Sequence, residues 1–102
     1  MFTVDNVRSL ALAMDHTSEK TCYGTPAFYV RKKLFARMLP QGDAVVVKIE
    51  PQRREVLMQA DPACYYITNH YLNHPLMIVS LGNVQLTDLE ELLTDAWEFA
   101  GS

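Results

Sequence analysis

The stretch Gly24–Glu50, GTPAFYVRKKLFARMLPQGDAVVVKIE, constrains the fold more than any other part of this chain. It holds three β-favouring segments separated by short polar breaks. Ala27–Val30 contributes Phe28, Tyr29 and Val30. Leu34–Leu39 resumes the apolar pattern after Arg31-Lys32-Lys33, and Ala44–Glu50 follows Pro40-Gln41-Gly42-Asp43. Aromatic and β-branched residues favour strands, and Gly/Pro/Asp clusters mark turns. Strands joined this closely pair antiparallel, because a parallel neighbour needs a crossover of about a dozen residues or more. Such a meander can leave one face of the sheet in water.

The hairpin tip at Arg31-Lys32-Lys33 has no glycine, so its turn type stays open. Across Leu34–Leu39, a period of two puts Leu34, Ala36 and Met38 on one face and Phe35, Arg37 and Leu39 on the other. The first set is the cleaner core face. Phe35 and Leu39 then need cover from a helix edge or a second subunit, which leaves a homodimer open.

The flanks read as helices and further strands. Thr3 suits an N-cap, and Val4, Val7, Leu10, Ala11 and Met14 recur at helical spacing. Asp15–Glu19 reads as a polar loop, and Lys20–Tyr23 as a short strand before a Gly24-Thr25-Pro26 turn. Pro51 suits the first position of a short helix ending at Asp61-Pro62, with Val56, Leu57 and Ala60 as its inner face. Tyr65-Tyr66-Ile67 and Leu76–Leu81 are β-like. Thr87 and Glu90 form a capping-box pattern ahead of the stripe Leu89, Leu92, Leu93, Ala96, Trp97 and Ala100. Gly101 is a plausible stop. The expected fold is therefore one α+β domain over residues 1–102. A mainly antiparallel sheet of about five strands is packed by an N-terminal, a short central and a C-terminal helix.

Composition excludes several classes. With 49% hydrophobic residues and a net charge of −3, the 102-residue chain is neither disordered nor long enough for two domains. No apolar run approaches the ~20 residues of a membrane helix, and no signal peptide is visible. Two cysteines, Cys22 and Cys64, fit free thiols in a reducing compartment better than a disulfide framework. The expected setting is the cytoplasm.

Charge is the first candidate for function. Seven of the nine Lys and Arg residues fall in Arg31–Arg54, which carries +5 while the rest of the chain carries −8. Arg31, Lys32, Lys33, Arg37, Lys48, Arg53 and Arg54 are the candidate contacts to nucleic-acid phosphate, since a local basic patch attracts polyanions even on an acidic protein. A solvated turn and helix surface is the competing reading. The second candidate is the ring-rich segment with Tyr65, Tyr66, His70, Tyr71 and His74, read as a small-ligand or protein contact lining a pocket. His70 and His74 stand at a metal-like spacing, but Pro75 disfavours a helix there, so neither a metal nor a cofactor is expected. No nucleophile elbow, phosphate loop or metalloprotease motif is present, so no catalytic residue is assigned.

The segment GTPAFYVRKKLFARM resembles the stretch of MmcQ/YjbR-like proteins that reads roughly G-x-P-x-F-x-V-x-x-K-x-F-A, here Gly24, Pro26, Phe28, Val30, Lys33, Phe35 and Ala36. HYLNHPLMIVSL resembles the branch of these small bacterial proteins with a His-Tyr pair before a strand, here His70-Tyr71. ELLTDAWEFA, with Trp97, resembles their closing helix. The resemblance implies a compact antiparallel sheet packed by helices, and DNA binding through a pair of β-hairpin wings. It brings no catalytic residues. The chain departs from the family pattern before the last strand, where many members have an aromatic residue and this chain has Leu76 or Met77, and at Ser80, where many have a basic one.

Overall fold

The computed structural model describes residues 1–102. In chain order the elements are α1 (Val4–Leu12), β1 (Thr17–Cys22), β2 (Thr25–Val30), β3 (Lys33–Met38), β4 (Ala44–Lys48), α2 (Pro51–Ala60), β5 (Tyr65–Tyr66), β6 (Leu76–Ser80) and α3 (Leu86–Gly101), with a 3-10 turn at Asn69–Tyr71. The strands form one sheet ordered β1-β2-β3-β4-β6-β5, and all neighbours are antiparallel. The fold class is therefore α+β, as the sequence implies, with six strands where the pattern suggested about five. β4 and β5 both oppose β6, so they run parallel to each other, and α2 forms the crossover between them.

The additional β length lies in β1. It begins at Thr17, inside the stretch read as a loop. Its residues TSEKTC lack alternation because the strand forms the sheet edge, with solvent-exposed residues along its middle. Arg8 ties α1 to this edge through Glu19 (2.6 Å) and also bonds Asp5 (2.6 Å). At the start of α1, Asn6 Oδ1 accepts the Thr3 backbone N–H at 2.9 Å.

Both N-terminal hairpins turn on two residues with positive φ. Cys22 pairs with Thr25 around Tyr23 (φ 52°) and Gly24 (φ 79°), and Val30 pairs with Lys33 around Arg31 (φ 49°) and Lys32 (φ 76°). This is the I′ pattern, whose twist matches that of the flanking strands. Thr25 and Pro26 consequently belong to β2 rather than to the turn. The second tip adopts this conformation without glycine, which places two ordinary side chains in the left-handed region.

A bulge corrects the expected faces of β3. Phe28 pairs with Ala36 but Tyr29 pairs with Leu34, so Phe35 is the additional residue. The period slips there, and Phe35, Ala36 and Met38 are all buried while Leu34 is only partly covered. Phe35 has no exposed surface within the single chain. It therefore needs no second subunit to cover it.

The sheet has a core on each face. On the inner face Phe28, Val30, Phe35, Met38, Val45, Val47, Met77 and Val79 pack with Val7 and Ala11 of α1 and with Leu89, Leu92, Leu93 and Ala96 of α3. The apolar stripe of α3 is thus the one expected. Its cap is not. The helix begins at Leu86 with Gln85 as N-cap, which puts Thr87 inside the first turn and leaves no side-chain cap. Trp97 fastens α3 by donating its indole N–H to the Asp15 carbonyl at 2.9 Å. On the outer face Ala44, Val46 and Ile78 pack under Tyr71, with Leu39, Ile67 and Leu76 around them. Leu39 is therefore partly covered within one chain.

The inner face of α2 also differs from expectation. Val56 is 66% exposed and Ala60 is exposed, whereas Arg54 is buried and Leu57 and Met58 are partly so. No helix is long and apolar enough to cross a membrane.

Candidate functional site

The seven basic candidates separate into groups with different duties. Arg54 is buried. Its Nη1 donates to the carbonyls of Tyr71 (3.2 Å), His74 (2.7 Å) and Leu76 (3.0 Å), and its Nη2 donates to that of Leu72 (3.3 Å). One planar fork thus gathers the chain segment that crosses the outer sheet face. Its Nε is buried with no protein acceptor. Arg37 donates to the Tyr71 hydroxyl at 2.7 Å, so two arginines hold this tyrosine's segment in place. Arg53 pairs with Glu91 at 3.1 Å and with Asp95, tying α2 to α3. Arg54 is buried with all but its Nε engaged, and Arg53 already has two carboxylates.

Arg31, Lys32, Lys33 and Lys48 remain. None of them forms an ion pair. The tip residues are exposed at the turn that joins β2 to β3. Lys48, at the end of β4, joins Lys33 in a cleft of about 410 Å³ with Leu34, Pro75, Phe99, Ala100 and Ser102. Arg31 lines a smaller one of about 210 Å³ with Val30, Trp97, Glu98, Gly101 and Ser102. The hairpin lies close to α3 here: a Cβ on Gly101 would sit 3.4 Å from Val30 Cγ2. Arg31, Lys33 and Lys48 therefore surround the C-terminal end of α3, where the helix carbonyls present partial negative charge. A third cleft, about 530 Å³, brings Lys48 and Arg53 together with Glu50, Asp95 and Glu98 and is of mixed charge.

The ring-rich segment divides between buried and exposed rings. Tyr65 and Tyr71 are buried, while Tyr66, His70 and His74 are exposed. The His70 and His74 rings are 6.3 Å apart, and His70 meets Tyr71 edge-on at 5.0 Å. No three His, Cys, Asp or Glu side chains converge as metal ligands. None of the three clefts is lined by a residue of 65–74, so the pocket expected there is not formed.

Sequence reasoning passed over Lys20 and Tyr29 as a pair. The Lys20 ammonium stands 5.7 Å from the centre of the Tyr29 ring, across the β1–β2 ladder. Only the register of β1 reveals this, and TSEKTC carries little strand signal. Desolvation raises the pKa of the Tyr29 hydroxyl, and the neighbouring Cys22 thiol raises it further.

Titration gives one prediction. Burial pushes up the Cys64 thiol and the Tyr65 hydroxyl beside it. Both groups keep their protons in the fold at pH values where the unfolded chain would release them. The Cys64 contribution is complete below the ordinary thiol range near ~8.5 and that of Tyr65 below the ordinary phenol range near ~10, and each declines as pH rises above its range. At the acid end, the Arg8 hydrogen bond holds the Glu19 carboxyl below its usual range. That contribution is present above the ordinary carboxylate range near ~4.3 and is lost as pH falls through the depressed value. Urea midpoints measured from pH 3 to pH 10 should fall at both ends. Cys64→Ala should flatten the alkaline limb, and an unchanged limb would contradict the assignment.

Comparison with known proteins agrees with this architecture. The family model for YjbR matches residues 12–99. Uncharacterised proteins of Mycobacterium bovis and Mycobacterium tuberculosis are 37% identical over 59 residues, which is 57% of this chain and 46% of theirs. The chain thus spans about half the length of those relatives. The crystal structure of Deinococcus radiodurans protein DR2400, with the DUF419 family-model domain, superposes with a TM-score of 0.85 at 28% identity, covering 97% of this chain and 78% of that one. The chain belongs to the YjbR family.

Proposed function

We propose that this domain is a non-enzymatic, polyanion-binding module that contacts nucleic-acid phosphates through Arg31, Lys32, Lys33 and Lys48. The observation that carries this reading is the β2–β3 tip. Arg31 and Lys32 both hold left-handed backbone, at φ 49° and 76°, where the preferred residues are Asn and Gly. Such a conformation costs an L-residue roughly 1–2 kcal/mol. Cationic side chains that stand at this cost, exposed and without a carboxylate partner, are available to an external anion. The sequence-derived set of seven contracts to four because Arg37, Arg53 and Arg54 have partners within the protein.

The double variant Arg31→Asn with Lys32→Gly separates stability from binding. It should unfold at higher urea, by about 1 kcal/mol, because its tip matches the turn. It should also bind a labelled 20-base-pair DNA more weakly at low salt. The slope of log affinity against log salt should fall by roughly 2, one unit per lost phosphate contact. Absence of binding by the unmodified protein at 20 mM salt, or equal binding by the variant, would refute the proposal.

A further inference from the structure

The outer sheet face has two unlike halves. Over β4 and β6 it is roofed by Tyr71 and its neighbours. Over β1, β2 and β3 that roof reaches only to Arg37, which bonds the Tyr71 hydroxyl; Ala27 beneath is buried, while Ser18 and Lys20 are exposed and Tyr29 is partly so. Register places Lys20, Ala27 and Arg37 in one row across these strands, continuing to Val46 and Ile78. The adjacent row is Ser18, Tyr29 and Leu34. No carboxylate lies in either row. Glu19, the acid of β1, points to the opposite face and is held there by Arg8.

We infer that this open half-face is a stacking platform for single-stranded nucleic acid, with Tyr29 as the base-contacting ring and Lys20 as the flanking phosphate contact, while Arg37 stays on the Tyr71 hydroxyl and adds positive charge beneath the strand. The inference rests on the polyanion-binding reading and specifies its ligand. Three features favour a single strand over other occupants. The first is charge: the rows hold two cations and no anion, complementary to a phosphate chain. The second is the ring. Tyr29 is partly exposed, and the Lys20 ammonium over it belongs to an exposed, flexible side chain. Lys20 can swing aside to a phosphate while a base takes its place on the ring, and a flat ring accepts any base. The third is continuity. Leu34, next to Tyr29 in its row, also lines the cleft that contains Lys33 and Lys48. A strand crossing Tyr29 therefore runs on toward the unpaired lysines. A duplex keeps its bases stacked inward and offers nothing to Tyr29.

The test compares a labelled 12-base single strand with the duplex of the same sequence, by fluorescence anisotropy at low salt. The single strand should bind more tightly. Tyr29→Leu, which keeps an apolar side chain but removes the ring, should weaken single-strand binding by about ten- to a hundredfold and leave duplex binding unchanged. Lys20→Ala, at an exposed position outside the core, should reduce the salt slope for the single strand by roughly 0.7. It provides the decision if Tyr29→Leu unfolds. Equal binding of both nucleic acids, insensitive to Tyr29 and Lys20, would overturn this inference and leave the polyanion-binding reading intact. Failure of the unmodified protein to bind either would overturn both. Self-association in sedimentation velocity that Lys20→Glu abolishes would assign the face to a second copy of the chain and would also overturn it.

Discussion

Replacing Arg54 with leucine should destabilise the protein by about 3 kcal/mol, among the largest effects of any single substitution outside the apolar core. Buried ion pairs can often be exchanged for apolar groups at little loss because both partners can be changed together. That is impossible here. The acceptors are four main-chain carbonyls of residues 71–76, which no substitution removes. The Leu72 carbonyl loses its Arg54 donor outright, and the other three lose charge-assisted bonds. The damage should be local first. Tyr71 roofs the second core over Ala44, Val46 and Ile78, so freeing residues 71–76 exposes that apolar patch. Urea denaturation measures the global loss, and amide exchange should show residues 69–76 opening well before β2 and β3. Lysine at the same position cannot span four acceptors and should recover little. A loss below about 1 kcal/mol for the leucine variant would show that the guanidinium is dispensable.

Phe35→Ala should cost about 3–5 kcal/mol, the range for truncating a large aromatic in a packed core. The cost should be independent of protein concentration, because Phe35 is fully buried within one chain. Unfolding curves at 2 µM and 200 µM distinguish this from a subunit contact. If truncation weakened the protein only at low concentration, Phe35 would be an interface residue. Leucine at position 35 retains much of the buried surface and should cost appreciably less than alanine.

These two positions also show where the sequence is legible and where it is not. The meander, the stripe of α3 and the Pro51 start of α2 follow from local rules, and the structure has them all. Phe35 does not follow from such rules. A bulge depends on how two strands register against each other, and a period-two reading of one strand cannot register it. Arg54 is hidden for a related reason. Its acceptors lie 17 to 22 residues further along the chain, so nothing near it in sequence distinguishes a buried arginine from Arg53. Val56 fails in the opposite sense: an apolar residue at helical spacing faces solvent because Arg54 occupies the inward position. At the basic site the local reading found every cation but not their partners. Three of the seven are engaged by residues 17 to 42 positions away. The Lys20–Tyr29 contact depends on an edge strand whose polar residues resemble a loop.

That edge strand has a consequence for crowding. β1 leaves its outer rim unpaired over TSEKTC, the kind of template on which copies of a protein zip together. Two copies meeting antiparallel must match residues whose side chains point to the same side, so paired residue numbers sum to an even value. The two alignments that engage most of the strand are therefore centred on Glu19 or on Lys20. One sets carboxylate directly against carboxylate, and the other sets ammonium against ammonium. Like charges facing each other across a ladder repel. The adjacent Glu19-Lys20 dipeptide thus sets like charges face to face in either alignment, more strongly at Lys20 than at Glu19, whose carboxylate Arg8 already partners.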